Sequence, residues 1–107
     1  MEPETFVPVL KADELPEHGF KAVELEGRSI LIGRVHGQLF ACLDRCPHAA
    51  APLRIGKLQG EELKCQRHGW VFNVLTGSSV PDDPTFKLRL FPIKLEDGQV
   101  LIDPHVS

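Results

Sequence analysis

Nowhere in its 107 residues does this chain carry the run of about 18 apolar residues that a membrane-spanning helix needs. Its start, Met1-Glu2-Pro3-Glu4, is acidic and lacks the basic and then apolar regions of a secretory leader. A cytoplasmic protein with no membrane contact is the expectation. Basic residues are few and scattered: 12 Lys and Arg stand against 15 Asp and Glu, for a formal charge of −3. That balance argues against a nucleic-acid surface. Cysteine is scarce and odd in number, three in all, so no internal disulfide framework is supported and a reducing compartment fits. There is no Gly-x-Gly-x-x-Gly fingerprint, no repeat at a fixed period, no low-complexity tract and no linker. The length suits a single domain over residues 1–107, expected as a monomer.

Helical periodicity is missing too. No segment holds it over three turns, whereas short alternating or β-branched stretches recur between turn signals. Residues 5–10 read as a first strand, with Pro8 suited to an edge. Lys11 to Gly19 reads as a loop or a single helical turn. Residues 20–26 alternate, and Ser29–Val35, with Ile30-Leu31-Ile32, reads as a buried strand. His36-Gly37 is a two-residue hairpin turn into Gln38–Leu43, and Asp97-Gly98 is another before Val100-Leu101-Ile102. Residues 44–60 lose every period and are expected as a loop. Glu61–Cys65 and Val71–Asn73 are short strands, Thr76-Gly77 a turn, residues 78–85 a second loop and Lys87–Leu95 a strand. The expected class is all-β, with roughly 8–10 short strands.

Inside the irregular stretch lies the chemistry. Cys46-Pro47-His48 and Cys65-Gln66-Arg67-His68-Gly69 each offer one thiolate and one imidazole, with 16 residues between His48 and Cys65. Two loops that meet face to face would bring Cys46, His48, Cys65 and His68 to one focus. Cys-x-His followed by Cys-x-x-His is the ligand set of a Rieske [2Fe–2S] centre, with two thiolates on one iron and two imidazoles on the other. Two Fe³⁺ and two sulfides carry +2, so two thiolates and two neutral imidazoles leave the oxidised site neutral. A four-cysteine site would stand at −2. An electron enters a neutral site more readily, which is why histidine ligation raises the potential to roughly −150 to +300 mV, against about −400 mV for plant-type ferredoxins.

Structural zinc also takes two Cys and two His, although it more often uses Cys-x₂₋₄-Cys and His-x₃₋₅-His pairs; the mixed pairing counts against it. Cys42 is left outside the set and reads as a small core residue. His18, His36 and His105 read as solvated, Glu61-Glu62 as a solvated turn edge, Ser78-Ser79 as loop, and Trp70 as core or as a shield over the cluster. Pro47 fixes the backbone between two ligands, Gly56 serves a turn and Gly69 allows close backbone approach.

At these residues the sequence resembles the Rieske-type ferredoxins of bacterial aromatic-ring oxygenases. The resemblance runs through Cys46-Pro47-His48, Gly56-Lys57-Leu58-Gln59-Gly60-Glu61, Cys65 to Asn73 and Thr76-Gly77, and covers essentially the whole chain. It implies a Rieske-type antiparallel β-sandwich or barrel in three layers, with a cluster-binding subdomain at approximately 43–85 inserted in a larger base. It also implies that Cys46 and Cys65 hold the inner iron and His48 and His68 the outer one, at an exposed tip. The implied function is that of a one-electron carrier and not an enzyme. It would take an electron from an NAD(P)H-dependent flavoprotein reductase and deliver it to a terminal oxygenase, across a docking patch that is apolar near Ala49–Leu53. Rivals within the resemblance are the ferredoxin of a di-iron toluene-type monooxygenase and the small subunit of NADH nitrite reductase; outside it stands a structural zinc-binding module. Gln66 replaces a common Pro, and Ala49-Ala50-Ala51-Pro52 departs from the usual loop. Respiratory relatives carry a loop disulfide and Ser and Tyr hydroxyls near the cluster. Here there is no such cysteine pair, and Trp70 and Phe72 stand where the hydroxyls would be. Hydrogen bonds to sulfur stabilise the reduced form, so their loss predicts a potential low in the Rieske range.

Overall fold

The computed structural model describes residues 6–46, 52–65, 69–80 and 86–104. Ten strands occupy them, arranged as three antiparallel sheets. The first sheet joins β1 (Val7–Lys11), β10 (Gln99–Ile102) and β9 (Ile93–Glu96), with β10 central. The second is a meander of β2 (Gly19–Leu25), β3 (Arg28–Val35) and β4 (Gln38–Leu43). The third runs β5 (Lys57–Gln59), β6 (Glu62–Lys64), β7 (Val71–Asn73) and β8 (Ser79–Val80).

The second sheet is the middle layer, and its sequence explains why. Along β3, Ile30, Leu31, Ile32 and Val35 are all fully buried. A strand covered on both faces must be apolar at odd and even positions alike. Ile30 and Ile32, with Ala41, face a core completed by Val100 and Ile102 of the first sheet. Leu31 and Val35, with Phe40 and Cys42, face a second core completed by Leu63, Phe72 and Val74 of the third. Gly33 lies opposite Phe40, and a Cβ there would come within 2.3 Å of the phenyl ring. Glycine therefore lets Phe40 fold across its neighbour strand.

The hairpin turns match their sequences. Glu26-Gly27, His36-Gly37 and Asp97-Gly98 all take positive φ at both residues, as a type I′ turn requires. The expected helical turn after β1 is a 3₁₀ turn at Ala12–Glu14.

Three expectations need correction. Residues 44–60 are not all loop: a 3₁₀ turn at Leu53–Ile55 and β5 lie within them. Ser79 is buried in β8 and does not sit in a loop. Only Ile93–Glu96 of the expected strand at 87–95 forms a regular ladder. Upstream of Pro92, which has no amide hydrogen to donate, the chain pairs singly with β4. Leu43 N–H donates to Arg89 O at 2.9 Å, Phe91 N–H to Ala41 O at 2.9 Å, and Leu90 bridges Cys42.

Candidate metal centre

The third sheet aims the candidate ligands. Lys57 is paired with Lys64, Lys64 with Val71, and Val71 with Val80. This cross-strand row stands at the end of the sheet where Gly56 enters β5, Cys65 leaves β6 and Trp70 enters β7. One residue further along, Leu58, Leu63, Phe72 and Ser79 form the row that points inward.

Cys46 and Cys65 are both buried, at 2% and 1% exposure, neither is in a disulfide, and both are members of the core beneath this sheet. Leu53, Leu63 and Phe72 pack in the same cluster. His48 and His68 lie outside the described residues, as do Pro47, Gln66 and His105. Among the described residues no group of three or more His, Cys, Asp or Glu converges on a metal position.

Each cysteine sits at a pinned loop end. Asp44, buried two residues before Cys46, accepts three hydrogen bonds: from Ser29 Oγ at 2.8 Å, from the backbone N–H of Arg54 at 2.8 Å, and from Arg54 Nη1 at 2.7 Å. Burial pushes its carboxyl pKa up, but the Arg54 and Ser29 bonds and the guanidinium charge outweigh that and hold it below the usual carboxylate range. The carboxylate thereby ties residue 44 to residue 54, across the segment that holds Cys46. On the other side, Cys65 N–H donates to Trp70 O at 2.6 Å and Gly69 N–H to Cys65 O at 3.1 Å. These bonds close the turn from β6 into β7, with Gly69 at φ 72°.

Gly56 welds the two ends together. Its N–H donates to Leu53 O at 2.8 Å, and a Cβ on it would lie 2.2 Å from Lys64 O. The backbone after the first loop therefore lies directly against the residue before Cys65. Gly69 takes a positive φ, and among the described residues an added Cβ would meet Lys64 Cε, at 3.7 Å.

The remaining residues fall into place. Burial pushes the Cys42 thiol far up, and the neighbouring Asp44 charge adds to it, so this cysteine stays a neutral core group. Trp70 is half-buried, 5.0 Å from the Phe86 ring centroid and 6.3 Å from Phe72. Leu53 is fully buried and cannot belong to an exposed docking patch. Glu61 accepts from Asn73 Nδ2 at 3.3 Å, and His18 Nε2 lies 3.0 Å from Gly60 O, so neither is simply solvated. Sequence reasoning missed the Asp44–Arg54–Ser29 network. An acidic residue next to a loop and a basic one ten residues on carry no pattern, and only the fold makes them meet.

Two unlinked thiols in an apolar surround suit a metal centre. As thiolates they would need a cation beside them, and a bound metal would supply that charge. An all-β scaffold that carries such a pair at the ends of two loops fits an iron–sulfur type of electron-transfer protein. Residues 5–92 match the family model described as the Rieske [2Fe-2S] domain. Over 100 residues the chain is 31% identical to the ferredoxin component of the naphthalene 1,2-dioxygenase system of Pseudomonas aeruginosa, covering 94% of this chain and 96% of that one. It is 32% identical to the biphenyl dioxygenase ferredoxin subunit of a Pseudomonas species, covering 92% of each. Among solved structures it is similar to a chain in the complex of reduced oxygenase and oxidized ferredoxin in carbazole 1,9a-dioxygenase. The TM-score is 0.87 and the identity 27%, over 98% of both chains. The carbazole 1,9a-dioxygenase ferredoxin of Nocardioides aromaticivorans gives 0.83 at 26% identity, over 94% of this chain and 99% of that one.

This chain belongs to the Rieske [2Fe-2S] domain family. Its cofactor is one Rieske-type [2Fe–2S] cluster, which decides the sequence-level choice between cluster and zinc, and it is an electron-transfer component and not a catalyst.

Proposed function

We propose that Cys46, His48, Cys65 and His68 ligate the cluster, with the two cysteines on the inner iron and the two histidines on the outer one. Residues 43–85 then form the cluster-binding subdomain of one domain spanning residues 1–107. The protein works as a monomeric cytoplasmic carrier. It takes one electron from an NAD(P)H-dependent flavoprotein reductase and gives it to the terminal component of a ring-hydroxylating dioxygenase. The observation that supports this most is the pair of buried, unlinked cysteines on clasped loops, in a chain that aligns nearly end to end with dioxygenase ferredoxins.

The bound cluster supplies a reversible one-electron couple. The protein's own residues do the rest. Leu53, Leu63 and Phe72 wall off the inner side from water. The Asp44–Arg54 clasp and the Cys65–Trp70 turn hold the backbone on either side of the two thiols.

Anaerobic purification tests the assignment. A brown protein with a rhombic EPR signal near g ≈ 1.9 after reduction, about one cluster per chain, is expected. His48→Ala and His68→Ala should each lose that signal, and unchanged spectra would refute their role. NADH-driven reduction through a flavoprotein reductase, followed by reoxidation with a dioxygenase terminal component, tests the carrier role.

A further inference from the structure

The molecule as a whole is anionic, at −3. Among the described residues, the outward face of the third sheet is cationic at the end that carries the ligand loops. Lys57 and Lys64 are exposed and directly opposite each other on the outward face. Like charges in direct cross-strand register repel. Among the described residues neither lysine makes an ion pair, and neither does exposed Arg45, the residue before Cys46. Lys64 immediately precedes Cys65, and its Cε lies 3.7 Å from where a Cβ on Gly69 would stand. Arg54, paired to Asp44, still leaves half of its side chain in water. The acidic residues of this sheet, Glu61 and Glu62, are at the opposite turn.

The same row continues from Lys64 through half-buried Val71 to exposed Val80, and Ile55 is exposed beside Gly56. Two unneutralised ammonium groups next to open apolar side chains, all at the loop end of one sheet face, make a surface of mixed character. Such a surface suits a brief contact: charge brings the partner in and apolar contact seats it.

We propose that the face formed by Lys57, Lys64, Val71 and Val80, with Ile55 and Arg45 at its border, docks an acidic surface on the protein that accepts this carrier's electron. The inference rests on the ligand assignment above, because only that assignment puts the exit for the electron beside this face. Transfer is a single-electron step. The reduced cluster loses one electron, the acceptor metal gains it, and no bond or proton changes hands.

Two well-defined acceptors test it: plastocyanin, a copper protein with an acidic docking face, and cytochrome c, whose haem edge is ringed by lysines. Dithionite-reduced protein is mixed with each by stopped flow between 10 and 300 mM salt. Steering by this face predicts that plastocyanin reduction slows on the order of tenfold as salt rises. Net charge alone predicts the opposite, with cytochrome c the one favoured at low salt. Lys64→Glu and Lys57→Glu should each flatten the plastocyanin response, and the double variant should reverse it; Lys64→Gln serves if a glutamate perturbs folding. Lys21→Glu makes the same change in net charge on β2, in a different sheet, and should leave the response as it is. A plastocyanin rate that is flat or rises with salt, or a Lys21 variant as damaging as the Lys64 variant, overturns the docking face. If the wild-type protein holds no cluster by visible and EPR spectra, the ligand assignment falls and this proposal falls with it.

Discussion

Replacing Asp44 by alanine removes a carboxylate whose side chain is fully buried and which accepts three hydrogen bonds of 2.7–2.8 Å. The loss is not the sum of three charged bonds. Arg54 has about half of its side chain in water, so its guanidinium recovers hydration and the ion-pair part counts for little. The Ser29 hydroxyl and the Arg54 backbone N–H fare worse. Each is part-buried and left without its acceptor, at about 1–3 kcal/mol apiece before any water enters the space. Asp44→Ala should therefore cost about 3 kcal/mol. Asp44→Asn keeps one acceptor oxygen but turns an NH₂ toward a donor, and should cost about 1–2 kcal/mol. Arg54→Ala keeps the backbone bond and should cost about 1 kcal/mol.

Urea unfolding of the loaded protein, followed by far-UV circular dichroism, checks the order. With a slope of about 2 kcal/mol per M, the alanine variant's midpoint should fall by about 1.5 M. Because the network ties residue 44 to residue 54, cluster release to a chelator at low urea should quicken in the same order: Ala, then Asn, then Arg54→Ala. Two results would refute the reasoning. One is an Asp44→Ala midpoint unchanged within about 0.3 M. The other is a loss of stability with no change in release rate, which would make the network ordinary core support and not a clasp on the ligand loop.

Gly56→Ala puts a methyl group 2.2 Å from Lys64 O, so the two loop ends must part; a loss of about 2–3 kcal/mol and faster cluster release are expected by the same two assays. Cys42→Ala should leave the visible and EPR spectra unchanged, while Cys42→Ser, which buries an unpaired hydroxyl, should lower stability by a further ~1–2 kcal/mol; an altered spectrum in the alanine variant would make Cys42 part of the centre. The reduction potential should fall near the low end of the Rieske range, and a voltammetric value above about +100 mV would show that the missing Ser and Tyr hydroxyls matter less than supposed.

Where a local rule governs the backbone, the sequence was legible. Ile30-Leu31-Ile32 announced a strand buried on both sides, and His36-Gly37 and Asp97-Gly98 announced tight turns, because φ and solvent exclusion act residue by residue. β5 and β8 were not legible. Lys57-Leu58-Gln59 and Ser79-Val80 are too short to show a period, and they are strands only because β6 and β7 offer them a ladder. The reverse error at 87–92 has the same root. Alternation was present, but the chain runs beside β4 with isolated bonds up to Pro92, and pairing is a property of the partner as much as of the segment. At the candidate site, spacing singled out the two cysteines as proposed ligands, whereas the Asp44–Arg54 clasp and the Gly56–Lys64 contact were not legible, since both depend on loops brought together by the third sheet.

That sheet has strands of only two or three residues, too short to stand unaided. Its inward row, Leu58, Leu63 and Phe72, is covered by Leu31, Val35, Phe40 and Cys42 of the middle layer, in the same core as Cys46 and Cys65. The proposed centre therefore depends on side chains in a sheet that carries none of its proposed ligands. Leu31→Ala is the sharpest case: the residue is fully buried, faces the third sheet, and lies on the central strand of the middle one. Its loss should cost about 2–5 kcal/mol. If the third sheet is held up from below, the damage should appear there first, as hydrogen exchange that quickens in β5–β8 before β9 and β10, and as faster cluster release. The matching variant on the other face, Ile32→Ala, removes a similar volume toward the first sheet and should destabilise the fold with less effect on release. Equal release rates for the two at equal loss of stability would mean that the layers do not divide the work, and that the centre responds only to global unfolding.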